Sequence, residues 1–435
     1  MPNSAPAPDP ERDPERDPER DPERDNVPFR LQLPIYVVAF FTGNLQPMAA
    51  VIMPLWALEL GASPLIIGLI ISARQILTVT LSIHGGAMLD RHGPRQVIIA
   101  LGLIGAATMG LFPLLPIIWV AILLQMVSGF AESTNWIGTQ ALVGRLLKGH
   151  AVFAGRMTAS ARFGGFIGPI VTGLSWEVYG PAGGFAFMSA WIVCGVAASV
   201  ILPDDRTHAP ADPDAPDTID VSTKRRASNI MPKLTDYKTA FRLLLLPAVA
   251  MVIAATIMRQ TGTGMQSSFY GIWLKDIGFS AGTIGLLIGI GNGASAVSAL
   301  TIGPLTRRFS KHWPLMWTIV IAIVSIAITP MLDTLGLLIV AIALRGLGQG
   351  LNLPLMMTIG SQAVGFHLQG RMAALRISFN RFGGALVPLG MGALAEVIGL
   401  EYAFYTVGFI GVGMIGILAI WIFIAKPFEA EEASR

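Results

Sequence analysis

The chain is written twice. Residues 56–95 recur 217 positions later without a gap, pairing Trp56 with Trp273, Gly61 with Gly278, Ser63 with Ser280, Ile67-Gly68-Leu69 with Ile284-Gly285-Leu286, and Arg91 with Arg308. Each copy closes on a short charged turn between two long apolar runs, Gly86-Ala-Met-Leu-Asp-Arg-His-Gly-Pro-Arg95 and Gly303-Pro-Leu-Thr-Arg-Arg-Phe-Ser-Lys-His312. An offset of 219 then pairs Arg162-Phe-Gly-Gly165 with Arg381-Phe-Gly-Gly384, Pro169 with Pro388, Gly173 with Gly392, Glu177 with Glu396 and Gly180 with Gly399. A tandem duplication of this length predicts two like halves.

The medium follows from composition. Hydrophobic residues make up 53% of the 435, charged ones 13%, and the mean hydropathy is +0.62. Soluble domains carry about 25% charged residues, so this chain is built for a lipid bilayer. Its length allows about a dozen spans of roughly 20 residues. The lone Cys194 excludes an internal disulfide. Zinc clusters, nucleotide-binding glycine loops and nucleophile elbows are missing from the sequence, which argues against an enzyme, a metal site or a cofactor. Residues 1–25 carry a net −5, leaving +8 on the remainder. In a membrane protein that surplus reports loop topology rather than nucleic-acid binding.

Four copies of Asp-Pro-Glu-Arg occupy residues 9–24; a proline every fourth residue forbids a helix, so residues 1–29 read as a disordered tail. Six spans follow within the half 30–202, at 33–58, 64–89, 95–114, 116–141, 157–178 and 183–202. A polar linker covers 203–240. Six more spans lie within 241–428, at 241–272, 280–305, 313–331, 335–363, 375–398 and 401–425, and 429–435 form a second tail. Basic residues gather in the even-numbered connections: Arg91 and Arg95, then Arg145, Lys148 and Arg156, then Arg307, Arg308 and Lys311, then Arg371. Lys275 is the exception among the odd ones. The positive-inside rule therefore places both termini and the linker in the cytoplasm of an inner, cytoplasmic-membrane protein. Two halves with an even number of spans share one orientation, related by an axis along the membrane normal.

The charged turn resembles that of the major facilitator superfamily of secondary transporters, which reads Gly-x-Leu-x-Asp-Arg-x-Gly-Arg-Lys. Gly86, Asp90, Arg91, Gly93 and Arg95 match, Met88 replaces the leucine and Pro94 the first basic residue; in the second copy Arg307 stands in place of the aspartate. The likeness covers about residues 30–428. It implies an all-α membrane fold of twelve helices in two pseudo-symmetric six-helix bundles, and a gating contact between halves made by Asp90 and its turn, for which Arg381 is the candidate partner. Gly164-x-x-x-Gly168-Pro169-x-x-x-Gly173 resembles the glycine-proline pattern of the superfamily's antiporters, although Val387 precedes Pro388 in the second copy and a packing seam of small residues would read the same.

Ionisable groups inside spans carry the functional signal, because each costs about 2.5–3.5 kcal/mol to insert and so faces a cavity or a partner. Arg74, Arg259 and Arg345 lie within spans two, seven and ten, against one interior acid, Glu132 in span four. Helical spacing groups them into polar stripes: Gln125, Ser128, Glu132 and Trp136; Arg345, Gly348/Gln349 and Asn352; Arg259, Thr263, Gln266 and Tyr270; Arg74, Thr78 and Ser82. Asn44 and Gln46 in span one add neutral hydrogen-bonding groups. Arg74, Gln75, Gln125, Trp136, Arg259, Gln266, Arg345 and Asn352 are the expected substrate-binding residues. Their excess of guanidinium over carboxylate predicts a small organic anion or electron-rich amphipathic solute. Glu132 is either the proton-coupling residue or a fixed partner for one arginine. The expected protein is a monomeric, proton-linked transporter leaning to antiport and efflux. A multidrug exporter of neutral or acidic drugs, and a non-transporting sensor or assembly factor, are the alternatives.

Overall fold

The computed structural model describes residues 27–147, 151–202, 242–301, 312–364 and 369–425. The expected linker, the C-terminal tail, the N-terminal tail up to residue 26, Lys148 and the second charged turn with Arg307, Arg308 and Lys311 lie outside them. Phe29 of the expected tail already opens a helix, and the side chains of Ser82, Asp90 and Arg371 are not described.

The described residues are helical, without a strand. Span one is two helices, α1 (Phe29–Thr42) and α2 (Leu45–Glu59), then α3 (Pro64–His92), α4 (Pro94–Leu114), α5 (Ile118–Leu146) and α6 (Ala151–Val200) complete the first half. The second half contains α7 (Pro247–Met265), a π-helical turn (Gln266–Tyr270), α8 (Gly271–Asp276), α9 (Ala281–Ala299), α10 (His312–Ala327), α11 (Leu335–Ala363), α12 (Gln369–Ile398) and α13 (Leu400–Ala425). Eight helical stretches are long and apolar enough to cross a membrane among the described residues.

Three elements depart from uniform spans, each for a local reason. Span one breaks at Gly43–Asn44, because Pro47 has no N–H and its ring excludes the carbonyl four residues earlier. Spans five and six run on as one helix kinked at Gly180, whose φ of 65° ends regular geometry there. Span seven carries the π turn, a widening frequent at functional sites.

The repeat is visible in the turns. Gly61 and Gly278, and Gly180 and Gly399, all take positive φ, the region only glycine enters freely. All four lie at one end of the bundle, the glycine-turn end; the charged turn lies at the other. At the glycine-turn end both halves share one apolar core, in which Met48, Met53 and Ile67 pack with Phe269, Tyr270, Ile284 and Met391. At the charged-turn end the cores are separate, one around Ile35, Leu142 and Phe153, another around Val252, Ile319, Leu355 and Ile415.

Two cross-half helix pairs, α6 with α9 and α3 with α12, form this joint. Backbones touch there through repeat-related glycines: a Cβ on Gly285 would meet the Pro169 carbonyl, and one on Gly68 the Pro388 carbonyl. Gly68→Ala and Gly285→Ala are therefore expected to destabilise by about 1–3 kcal/mol. Gly413→Ala, which meets nothing within 4 Å, is expected to stay within about 0.5 kcal/mol of the parent. Unfolding of the detergent-purified variants decides this; equal effects at all three positions would refute the close approach.

A charged cleft between the halves

The break in span one has a structural partner. Asn44, fully buried, donates its amide to the Phe40 carbonyl, and the N–H of Gln46 in the first turn of α2 donates to Glu132 Oε1 at 2.9 Å. A carboxylate is favoured at a helix N-terminus, where amide groups lack intrahelical partners. The other oxygen of Glu132 pairs with Arg74 Nη2, and Arg74 Nη1 donates to Gln125 Oε1 at 3.3 Å. Arg74 is 7% exposed and Gln125 2%. Gly129 lets this happen, because a Cβ there would strike the Arg74 backbone and side chain. Helices α2, α3 and α5 are thereby tied at one point by a charge-neutral pair.

The second half is not neutralised in this way. Arg345 on α11 is 4% exposed, its Nε has no hydrogen-bond partner, and it lies within electrostatic reach of Arg259 and Tyr270. Arg259 Nη2 donates to Asn380 Oδ1 at 2.7 Å, while its Nε is unpartnered and Arg376 and Arg162 stand near it. The hydroxyl of Tyr270 and the amide nitrogen of Gln266, both on the π turn, are buried donors without an acceptor. Among acids whose side chains are described, only Glu132 is not exposed. Among the described residues of the second half, buried donors and positive charge are left over.

Between the halves lies a narrow cleft, lined by Gln46, Arg74, Gln75 and Gln125 from one side and Gln260, Thr263, Ser267 and Gly384 from the other. Four glutamine amides and two hydroxyls offer paired donors and acceptors to a neutral polar body, with the Arg74 guanidinium at the wall.

The expected residues separate on these coordinates. Arg74, Gln75 and Gln125 line the cleft. Gln266 and Arg345 are buried, and Arg259 half-buried, beside it in the second half. Trp136 packs instead against Gly43 and the first-half core. Asn352 is fully buried and accepts from Thr318 of α10 at 2.6 Å, turned toward its own half. Gln349 of the same stripe donates to Thr263 at 3.1 Å. Gln260, Ser267, Gly384, Asn380 and Arg376 were not expected as site residues; Gln260 and Ser267 share a stripe with the expected Thr263, each one position along from the expected Arg259 and Gln266.

Of the expected gate, Gly93 takes φ 82° and separates α3 from α4, Arg91 is exposed and a Cβ on Gly86 would meet nothing within 4 Å. Arg95 donates to the Val200 carbonyl at 2.8 Å, closing the end of α6 within its own half. Arg381 does cross between halves, but to Gln75 Oε1 at 3.2 Å and Ser133 Oγ at 2.8 Å. Gln75 precedes Asp90 by about 22 Å of helix rise, so Arg381 is engaged at cleft depth rather than at the charged turn. Its repeat mate Arg162 crosses likewise, to Ser295 Oγ at 3.2 Å.

Residues 35–259 and 252–435 match the Major Facilitator Superfamily. The multidrug resistance protein MdtG of Citrobacter koseri is 23% identical across 88% of this chain and 91% of its own length. An uncharacterised Mycobacterium tuberculosis protein is 28% identical over 139 residues, 31% of this chain; the chain spans about a third of the length of the mycobacterial relatives it matches. Among solved structures, a mutant of the nucleoside transporter NupG superposes with TM-score 0.73 at 15% identity, covering 91% of this chain and 99% of that one. A POT family transporter in complex with a thioalcohol-conjugated peptide gives 0.67 at 14% identity, covering 92% and 99%. These likenesses carry the fold.

The Arg74–Glu132 pair makes a testable energetic claim. Removing one partner leaves a buried charge and is expected to cost about 3–5 kcal/mol, whereas replacing both costs less than either alone. A double-mutant cycle over Arg74→Met, Glu132→Leu and the pair, read by reversible unfolding in detergent, measures it; additive losses would show that the two charges do not interact.

Proposed function

The chain belongs to the Major Facilitator Superfamily and is a membrane transporter, not an enzyme; we propose that it carries a small organic anion or electron-rich amphipathic solute, coupled to protons, leaning to antiport and efflux. The observation that carries this reading is Arg345, a guanidinium 4% exposed whose Nε is unpartnered and which has no described acid facing it. Burying an uncompensated charge is costly, and an anionic solute supplies the missing charge in a geometry that guanidinium forks suit. In this proposal Arg345 and Arg259, with the Tyr270 hydroxyl and the Gln266 amide, take the anionic group. The glutamines of the cleft hold the neutral remainder.

Arg74 has a different part. Its charge is already returned by Glu132, so proton transfer to Glu132, or its displacement by substrate, frees both Arg74 and the N–H of Gln46 at the start of α2. That coupling would pass a protonation event into the position of span one and hence into the joint between halves. In this proposal the charged-turn end and both termini face the cytoplasm of an inner membrane, a reading supported by the basic turns, and the separate cores at that end lie on the side on which the halves part. The chain is proposed to work as a monomer.

The whole-length likeness to MdtG supports a second reading, export of neutral or acidic drugs. A third, a non-transporting sensor, fits the polar cleft poorly, since a site with no cargo gains nothing from unpaired buried donors.

Ligand binding to the native state raises apparent stability, by about 2.7 kcal/mol at a hundredfold excess over Kd. Matched panels of organic anions, neutral amphiphiles and cations are expected to stabilise the purified protein only in the anionic and electron-rich members. Arg345→Ala should abolish that shift while remaining folded. Stabilisation by cations alone, or an unchanged response in Arg345→Ala, would overturn the anion reading.

A further inference from the structure

Two carboxylates of the repeat have no part in the cleft. Of the pair related by the 219-residue offset, Glu177 stands just before the Gly180 kink of α6 and Glu396 near the glycine-turn end of α12. Both are exposed, yet each is engaged across the boundary between halves: Glu177 Oε2 accepts the Gly282 N–H at 3.0 Å, and Glu396 Oε2 accepts the Leu65 N–H at 3.1 Å. Gly282 is the second residue of α9 and Leu65 the second of α3. Each carboxylate therefore sits on the N-terminal turn of a helix in the opposite half, where free amides and the helix dipole favour negative charge.

We propose that Glu177 and Glu396 are positioning residues for transport, a two-fold pair of clasps that holds the glycine-turn end closed and must be released together when that end opens. Four observations converge on it. The two bonds are related by the same repeat that relates the halves. Both lie on the α6–α9 and α3–α12 joints. Directly beneath each, backbones are in contact, since a Cβ on Gly173 would meet the Ala281 carbonyl and one on Gly392 the Pro64 carbonyl. Lastly, each bond exists only while the halves touch, because its donor and acceptor belong to different halves.

The copies are unequal in one respect that sharpens the test. At α9 the Ser280 hydroxyl also accepts from the Thr283 N–H at 3.3 Å, whereas Ser63 makes no side-chain cap at α3. The start of α3 thus depends on Glu396 more than the start of α9 depends on Glu177. A third contact at this end, Lys275 with Glu59 at 3.9 Å, is long and about 40% exposed on both sides, the kind of surface pair that contributes little.

The test needs no knowledge of the substrate. Cys194 is the lone cysteine, so in a Cys194→Ser background Met53→Cys reports on the cleft: Met53 lines it and is 1% exposed. Labelling by a membrane-impermeant maleimide is measured from each face, using right-side-out and inverted vesicles. Glu396→Ala is expected to raise labelling from the glycine-turn face more than Glu177→Ala, and the double variant by about threefold to thirtyfold. Glu396→Gln, which keeps an acceptor oxygen, should restore most of the protection, and Lys275→Ala should leave it unchanged. If the double variant does not fold, the Glu396→Gln, Glu396→Ala, Glu396→Lys series carries the test, with labelling rising in that order. Folded alanine variants that label like the parent, an equal rise from both faces, or a rise in Lys275→Ala matching that of Glu396→Ala would each overturn the proposal.

Discussion

A guanidinium taken out of water costs several kcal/mol unless charge and hydrogen bonds are returned to it, and this protein buries Arg74 and Arg345 and half-buries Arg259 near the boundary between its halves. Among the described residues only one is neutralised. Arg74 is matched by Glu132, which in turn holds the N-terminus of α2 after the break in span one. Arg345 and Arg259 have hydroxyls, amides and each other for company. The boundary cannot seal as an ordinary apolar interface around such groups. It has to remain a polar slot, and the cleft with its glutamine walls is that slot.

The rest of the architecture arranges two different ends about it. At the glycine-turn end, glycines opposite proline carbonyls bring backbones together and a single apolar core spans both halves. At the charged-turn end each half keeps its own core, and the α3–α12 contacts named here reach down only as far as Gln75 and Arg381. Interiors are packed too closely to deform continuously, so a joint of this kind moves by rigid halves exchanging contacts. The repeat supplies two-fold-related contacts on which such a motion can pivot.

Much of this was legible in the sequence because it depends on patterns local to the chain. The duplication, the span positions, the interior arginines and the lone interior acid all come from residue type and spacing. The break in span one was not read, although Gly43, Asn44 and Pro47 signalled it; strongly apolar flanks masked a two-residue turn. Face assignment failed where one helix borders two neighbours. Asn352 shares a stripe with Gln349, yet one bonds α10 and the other α7, and a single step around α7 separates Gln260 in the cleft from Arg259 beside it. The division of partners, with Glu132 going to Arg74 and none to Arg345, is a property of three-dimensional neighbours that spacing does not contain. Arg381 shows the same limit: its sequence position suggested an end-of-helix latch, whereas its side chain reaches Gln75 and Ser133 at cleft depth.

The central claim is that the second-half guanidiniums await a negative charge carried by the cargo. Charge displacement after a rapid solute jump, recorded on proteoliposomes adsorbed to a solid-supported membrane, tests it most directly. The account predicts transient currents for organic anions, of the sign of negative charge entering the protein, absent in Arg345→Ala and retained in Lys275→Ala. Currents elicited by cations and not by anions, or anion currents undiminished in Arg345→Ala, would contradict it.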